Sequence, residues 1–301
     1  MVVALLPGAC RPKQASVGPP RVAVSIFPLY DIARRVAGDR LDVVLVLPPG
    51  RSEHSYDPTP KEMARVADSR LAISVGLGMD DWLERIIQGA AGSEVPSLQL
   101  GPRVQPRSMT QKEVGDEAAD EARPAGSEEH HHGPEDPHFW LDPVRMRTAA
   151  DAMVEAFARL DPASTDGFRA RGEAVKSSLT ALDAAIGERA HKWSRHTIVT
   201  FHGSMGYYAD RYGLAIAAVV EPFPGREPTP RYVHDVLAAL ATSGAAAMFS
   251  EPQLDRRPAQ VIADQAHTPL FELDPVGGTE GVETYEKLLA HNTDILEQAL
   301  K

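Results

Sequence analysis

The sequence contains very little cysteine: Cys10 is the only one among 301 residues, so no disulfide can form within the chain. Positive charge is also scarce, because 31 lysines and arginines face 42 aspartates and glutamates and leave a formal net charge of -11. Nucleic acids and anionic membrane surfaces recruit an excess of lysine and arginine, so neither is an expected partner. An acidic surface is compatible with a protein that gathers cations.

Long hydrophobic runs are missing as well, since no stretch approaches the roughly 20 apolar residues of a membrane-spanning helix. The segment MVVALLPGAC at the start passes from apolar to small side chains and ends at Cys10. It is similar to the end of a bacterial lipoprotein signal, in which cleavage before the cysteine exposes its sulfur for lipid attachment. Residues 1–20 are therefore expected to be a leader and linker of a periplasmic or otherwise extracytoplasmic protein. An apolar terminus with a buried thiol is the alternative.

The chain length is about twice that of a typical domain, so two lobes are expected. Short β-branched runs alternate with amphipathic stretches over residues 21–100 and again over residues 197–300. Strands that alternate with helices indicate an α/β fold with mainly parallel sheets flanked by helices. Asp161 and Pro162 supply the cap and the first position of a long helix predicted over 162–193. The predicted parts are an N-terminal lobe (21–160), a long linking helix (161–194) and a C-terminal lobe (195–301).

Residues 111–136 interrupt this pattern. The window holds nine acidic and two basic side chains, and it has almost no large apolar residue. It cannot bury enough surface to offset the entropy of ordering, so it is predicted to be a disordered insert. His130, His131 and His132 lie beside acidic residues in this insert and are predicted to capture zinc weakly. The alternative is a solvated loop whose histidines bind metal adventitiously.

Three histidines lie where ligands bind in parallel α/β sheets, beyond the carboxyl ends of strands. His54 follows a predicted strand over 41–47, His138 follows the acidic insert, and His202 directly follows a predicted strand over 197–201. Imidazole nitrogen is a favoured ligand of Zn²⁺, and three such ligands leave one tetrahedral position open. The three histidines are therefore predicted to share one zinc ion.

The fourth zinc ligand has three candidates, which are Asp274, then Glu53, then water. Asp274 follows a predicted strand over 270–273, as a ligand at the edge of a sheet would. Its carboxylate is equally suited to capping the turn before the last helix. Glu53 is next to His54 in the sequence. The residues alone leave this choice open.

Four stretches make the sequence similar to the metal-specific solute-binding proteins of ABC importers, in particular to their zinc-binding, ZnuA-type group. They are residues 47–60 (LPPGRSEHSYDPTP), 136–143 (DPHFWLDP), 201–214 (FHGSMGYYADRYGL) and 273–275 (LDP). The resemblance implies two lobes joined by one long rigid helix, with metal held in the interlobe cleft. It also implies ligands at His54, His138 and His202, a nearby acidic group at Asp274, and an acidic, histidine-bearing insert before the second ligand.

The resemblance implies an extracytoplasmic receptor that captures Zn²⁺ and delivers it to the membrane permease of an ABC importer, as a monomer and without catalysis. Manganese-type relatives have a carboxylate where this chain has His202, and a third imidazole shifts the preference from Mn²⁺ towards Zn²⁺. A receptor for Mn²⁺ or Fe²⁺ is one alternative. A zinc hydrolase with Glu53 as its general base is another, although the sequence has neither an HExxH nor a GxSxG motif.

Overall fold

The computed structural model describes residues 18–66, 68–91, 95–114, 135–222 and 228–301. The predicted lipid-attachment residue Cys10 lies outside these ranges, as do the predicted weak metal ligands His130, His131 and His132. None of the helices within the described ranges combines the length and the apolar character that crossing a bilayer requires.

Four short parallel strands form the sheet of the N-terminal lobe: β1 (Arg21–Val24), β2 (Asp42–Leu45), β3 (Ser69–Ser74) and β4 (Ser97–Gln99). Their order across the sheet is β2-β1-β3-β4, so β1 and β3 are the central strands. Both central strands are buried along most of their length, as expected when helices cover the two faces of a parallel sheet. The flanking helices are α1 (Phe27–Ala37), α2 (Pro60–Val66) and α3 (Asp81–Ala91).

The disordered insert predicted over 111–136 lies mostly outside the described ranges, and the structure describes only its two ends. Gln111–Val114 form a short helix, α4, and Asp136 at the other end is fully buried. Composition alone misses this order because Glu113 and Asp136 form salt bridges with Arg107, which lies outside the acidic window. A buried carboxylate is stable when it is paired, so a high acidic content does not by itself imply disorder.

Two long helices follow the first sheet, α5 (Pro143–Leu160) and α6 (Thr165–Ala190). The side chain of Asp142 caps α5 by accepting a hydrogen bond of 2.8 Å from the N–H of Val144. A short 3-10 turn, Pro162–Ser164, leads into α6. With its 26 residues α6 is about 39 Å long. The long helix predicted over 162–193 is thus confirmed, although its first turn is tighter than an α-helix.

The C-terminal lobe repeats the architecture of the first. Its strands are β5 (Thr197–Thr200), β6 (Ala215–Val219), β7 (Met248–Ser250) and β8 (Leu270–Glu272), all parallel and in the order β6-β5-β7-β8. The helices of this part are α7 (Gly206–Tyr212), α8 (Pro230–Ser243), α9 (Arg257–Ala266) and α10 (Tyr285–Leu300). The prediction of two α/β lobes with parallel sheets is confirmed.

The lobes are joined by more than the long helix. The indole N–H of Trp140 donates to the carbonyl of Pro275 at 2.7 Å, and the hydroxyl of Tyr285 donates to the carbonyl of Trp140 at 2.7 Å. Buried apolar side chains from both lobes form one continuous cluster, while a second cluster belongs to the C-terminal lobe alone. The loops that face each other across the cleft are therefore held by a shared core. The lobe boundaries given above stay predictions.

Candidate metal centre

His54 lies in the loop between β2 and α2, and this loop is fixed on both sides of the histidine. Before it, the carbonyl of Glu53 accepts a hydrogen bond of 3.2 Å from the indole N–H of Trp82. After it, Thr59 and Glu62 form a capping box at the start of α2, in which the N–H of Thr59 donates to Oε2 of Glu62 at 2.8 Å. The loop therefore holds His54 near the carboxyl edge of the first sheet.

His138 is buried and precedes a short 3-10 turn, Phe139–Leu141. Two residues earlier, Oδ1 of Asp136 accepts a hydrogen bond of 2.9 Å from the backbone N–H of His138. The same oxygen lies 2.8 Å from Nδ1 of the ring. A carboxylate at Nδ1 keeps the ring proton there and leaves the lone pair of Nε2 free to bind a metal.

His202 directly follows β5 and is buried. Its Nδ1 lies 2.7 Å from Oε2 of Glu251, which directly follows β7. At this distance the two groups form an ion pair when the ring is protonated. The hydroxyl of Ser204 donates to the other carboxylate oxygen of Glu251 at 3.0 Å and holds that side chain in place. His138 and His202 thus each have a buried carboxylate beside Nδ1.

The three imidazoles meet at their Nε2 atoms. Nε2 of His138 lies 3.2 Å from Nε2 of His54 and 3.2 Å from Nε2 of His202. A carboxylate oxygen of Glu53 is 3.7 Å from Nε2 of His54, and one ligand atom from each of these four residues lies within 4.8 Å of all the others. Two ligands of a tetrahedral zinc ion are about 3.3 Å apart when the bonds are 2.0–2.1 Å long. The group therefore has the dimensions of a zinc coordination shell.

When both rings carry their proton on Nδ1, this arrangement is unfavourable without a shared cation. Rings that carry their proton on Nδ1 direct the Nε2 lone pairs of His138 and His202 at each other across 3.2 Å. Burial removes the water that would screen this repulsion. A metal ion between the nitrogens turns the repulsion into coordination, and a proton on one of them turns it into a hydrogen bond.

Burial also changes how readily these groups hold a proton. Desolvation, reinforced by His202 and His138, holds the pKa of His54 well below its ordinary value of 6.5. Desolvation lowers the pKa of His202 too, but the negative charges of Glu251 and Glu53 outweigh it, so that pKa is raised overall. Desolvation raises the pKa of Glu53. His54 is therefore a free base near neutral pH, whereas His202 holds a proton more readily than an isolated imidazole.

The structure brings Glu53, and not Asp274, together with the three imidazoles. Oδ1 of Asp274 accepts hydrogen bonds from the N–H groups of Val276 and Gly277 at 3.0 and 2.9 Å, and from the amide of Gln253 at 2.6 Å. In contrast, Oε1 of Glu53 is buried and accepts no hydrogen bond from the described residues. Oδ1 of Asp274 therefore caps its turn, and Oε1 of Glu53 is the buried carboxylate oxygen without a hydrogen bond beside the imidazoles. The fourth ligand stays a prediction.

Sequence reasoning missed the residues behind the rings. Glu251 follows β7 as directly as His202 follows β5, so the position of strand ends could have found it. Asp136 was assigned to the disordered insert, although it stands two residues before His138. Arg107 gives no sequence signal, because its carboxylate partners are recognisable only in three dimensions.

Comparison with known protein families gives one match over nearly the whole chain. The family is described as zinc-uptake complex component A, periplasmic (ZnuA), and its profile matches residues 22–299. The resemblance seen in the sequence motifs is thereby confirmed.

Several curated relatives share between a fifth and about a quarter of their residues with this chain. The zinc-binding lipoprotein AdcA of Streptococcus pneumoniae is 24% identical over 295 residues, which cover 96% of this chain but only 58% of AdcA. The high-affinity zinc uptake system protein ZnuA of Yersinia pestis is 27% identical over 264 residues, covering 85% of this chain and 83% of that protein. The manganese-binding lipoprotein MntA of Halalkalibacterium halodurans is 22% identical over 310 residues, covering 100% and 96%.

Solved structures support the fold independently. A crystal structure of ZnuA matches this chain with a TM-score of 0.79 at 22% identity, covering 94% of this chain and all of that one. The similarity includes both lobes, as the coverage requires. At this level of identity it bears on the fold alone.

Proposed function

The chain belongs to the ZnuA family of periplasmic components of zinc uptake, whose members are metal-binding solute receptors of ABC importers, and we propose that its own cargo is Zn²⁺. The observation that carries the proposal is the convergence of three Nε2 atoms and one carboxylate in a single group. In this proposal His54, His138 and His202 each bind the ion through Nε2, and Glu53 binds it through a carboxylate oxygen. The cargo then passes to a membrane permease.

The donor atoms support zinc over manganese. Mn²⁺ favours hard oxygen ligands, whereas imidazole nitrogen suits Zn²⁺. Relatives of comparable identity are named for zinc and for manganese, so their names do not select the metal. A receptor for Mn²⁺ or Fe²⁺ is the alternative, and it would have to bind its ion with three nitrogens and a single carboxylate.

Titration of the metal-free protein with Zn²⁺ and with Mn²⁺, each in competition with a chromophoric chelator, tests the choice. We expect one tightly bound Zn²⁺ per chain, held at least about 100-fold more tightly than Mn²⁺. His234→Ala is the matched control, because that ring is 82% exposed and lies outside the centre. Tighter binding of Mn²⁺ would contradict the choice of metal, and binding of neither ion would contradict the function.

We propose that the site binds its ion without catalysis. Glu53, the one candidate for a general base, is 3.7 Å from Nε2 of His54 and lies within the ligand group. A carboxylate that binds the ion does not serve as a base towards a metal-bound water. Zinc-loaded protein should show no esterase turnover above that of buffer, and turnover that disappears in His202→Ala would support an enzyme instead.

We propose that capture takes place outside the cytoplasm, on a chain attached to lipid through Cys10. Two of its relatives, AdcA and MntA, are named lipoproteins. Cell fractionation of the full chain and of Cys10→Ser tests this. The wild-type chain should remain with the membranes, and the variant should be released; equal distribution would contradict lipid attachment.

We also propose that His130, His131 and His132 are auxiliary, weak zinc ligands. Their support is their sequence position among acidic side chains, which attract cations. Replacing all three by alanine should remove weakly bound zinc in a titration and leave the tightly bound ion unchanged. Loss of the tight ion would assign these histidines to the main site.

A further inference from the structure

Arg107 is a buried guanidinium that contacts three carboxylates, and its side chain is only 11% exposed. Nη1 donates to Glu113 at 2.8 Å and to Oδ2 of Asp136 at 2.7 Å, while Nη2 donates to the other oxygen of Glu113 at 3.0 Å. Nε lies 2.8 Å from the carboxylate of Asp210, on α7 of the C-terminal lobe. This one side chain therefore links the two lobes.

Asp136 joins this cluster to the metal centre. Its Oδ2 accepts from Arg107, while its Oδ1 accepts from the backbone N–H of His138 and lies 2.8 Å from Nδ1 of that ring. The two oxygens of a carboxylate are rigidly related, so a guanidinium that fixes Oδ2 also fixes Oδ1. The orientation of the His138 ring therefore depends on where Arg107 holds Asp136.

The cluster is closely packed against the C-terminal lobe. The hydroxyl of Tyr207 accepts from the backbone N–H of Arg107 at 3.1 Å and donates to the backbone carbonyl of Asp136 at 2.8 Å. A Cβ added at Gly206 would overlap the guanidinium of Arg107 and the carboxylate of Asp136. Gly206 and Tyr207 begin α7, a few residues after His202. The cluster thus fits against the segment that carries the histidine of the other lobe.

We propose that Arg107 is a positioning residue of the metal centre, which orients His138 through Asp136 and holds it against the segment that follows His202. The inference rests on the proposed metal-binding function and adds a residue that touches none of the four candidate ligands. Lysine cannot replace Arg107 in this role. A guanidinium presents several N–H groups in fixed directions, whereas an ammonium group is a compact charge without such a fork.

Arg107→Lys and Arg107→Gln in the full chain test this with two readouts. The affinity for Zn²⁺, measured by chelator competition, should fall about 10- to 100-fold, as is typical when the partner behind a metal-binding histidine is lost. Nitrogen NMR of the isotopically labelled, metal-free protein should show the His138 ring changing from a single Nδ1–H tautomer to a mixture. The signal of this ring is assigned by its absence in His138→Ala.

Arg171→Gln is the matched control for a general loss of stability. Arg171 donates to the carbonyls of Val36 and Ala37 at the end of α1, at 2.8 and 3.0 Å. This variant should leave both the affinity and the His138 tautomer unchanged. If Arg107→Gln does not fold, Arg107→Lys retains the charge and gives the answer by itself.

An Asp136→Asn background separates positioning from packing. Because Arg107 acts through Asp136, adding Arg107→Gln to Asp136→Asn should lower the affinity little further. Fully additive losses would overturn the proposal, as would an unchanged affinity and tautomer in both Arg107 variants. If the wild-type protein bound neither Zn²⁺ nor Mn²⁺, the proposed function would fail, and the tautomer of His138 would still decide the role of Arg107.

Discussion

The three histidines of the metal centre lie in two different environments. His138 and His202 are buried, and each has a carboxylate close to Nδ1. His54 lies in a loop, and its side chain is 21% exposed. In the described part of the chain no carboxylate lies against its Nδ1. One edge of the centre is therefore accessible, and the other is enclosed.

Two of the candidate ligands are therefore held in place by buried carboxylates, and the third is next to solvent. His138 and His202 are called the wall of the centre here, and the side of His54 its accessible edge. Rings that are held by buried carboxylates are oriented before an ion arrives, so little ordering cost remains for binding. His54 is placed by its loop and is the ligand next to solvent. We infer that an ion enters and leaves on the side of His54, and that the wall of His138 and His202 supplies most of the affinity.

Removing a ligand from the wall should have the largest effect. His202→Ala should weaken zinc binding by up to about 1,000-fold, since four-ligand zinc sites bind with roughly 10–16 kcal/mol and one ligand carries about a quarter of this. His54→Ala should cost less, about 100-fold, because an exposed position can be filled by water. Chelator competition measures both. Equal losses for the two variants would remove the distinction between wall and edge.

Weakening the support of the wall should have the next largest effect. Glu251→Gln retains the shape of the side chain but removes the charge beside Nδ1 of His202, and the zinc affinity should fall about 10- to 100-fold. Isothermal titration in the presence of a competing chelator measures the change. An affinity equal to that of the wild-type protein would show that His202 is oriented by its backbone alone.

Acid should weaken zinc binding mainly by protonating His202. The pKa of His202 is raised above 6.5, so this ring must release a proton to bind zinc, and below its pKa the apparent affinity should fall about tenfold per pH unit. The pKa of His54 is lowered, so this ring gains a proton only at a lower pH than an ordinary imidazole does. Titrations between pH about 8 and about 5 measure the slope. An affinity that is independent of pH would contradict a histidine site.

Removing the charge of the buried Glu53 should have a smaller effect. Glu53→Gln keeps an oxygen near the ion but loses the negative charge, so the zinc affinity should fall about tenfold. The preference for Zn²⁺ over Mn²⁺ should increase at the same time, because Mn²⁺ depends more on carboxylate oxygen. Competition titrations with both ions measure the two quantities. A loss of zinc affinity as large as that of His202→Ala would show that the charge of Glu53 contributes as much as an imidazole ligand.

Asp274→Ala should have the smallest effect on affinity, about threefold or less, because this carboxylate does not join the ligand group. The free energy of unfolding of the metal-free protein should nevertheless fall by about 1–3 kcal/mol, since buried donors lose their acceptor. Urea denaturation measures this loss. A zinc affinity lowered about 100-fold, with an unchanged free energy of unfolding, would identify Asp274 as a zinc ligand.

Much of the architecture could be predicted from the sequence because its signals are local. Strand and helix periodicities, together with the Asp-Pro pairs before α5 and before the 3-10 turn that leads into α6, predict two lobes and a long helix. Boundaries were less predictable. The apolar run over 21–27 predicts a strand along its whole length, but the strand ends at Val24, because Pro28 favours the first turn of α1 and that helix begins at Phe27. A short apolar run does not by itself distinguish the end of a strand from the start of a buried helix.

By itself, the sequence indicated where the three imidazoles lie, because His54 and His202 follow strands and His138 precedes a helix that local patterns define. Tertiary structure alone placed the carboxylate of Glu53 beside them. Asp274 and Glu53 both carry a carboxylate. Oδ1 of Asp274 accepts three hydrogen bonds, while Oε1 of Glu53 accepts none from the described residues. The partnership of Arg107 with Asp136 was likewise decided in space. Whether a buried polar atom is satisfied depends on neighbours that are distant in the chain, and no local pattern encodes them.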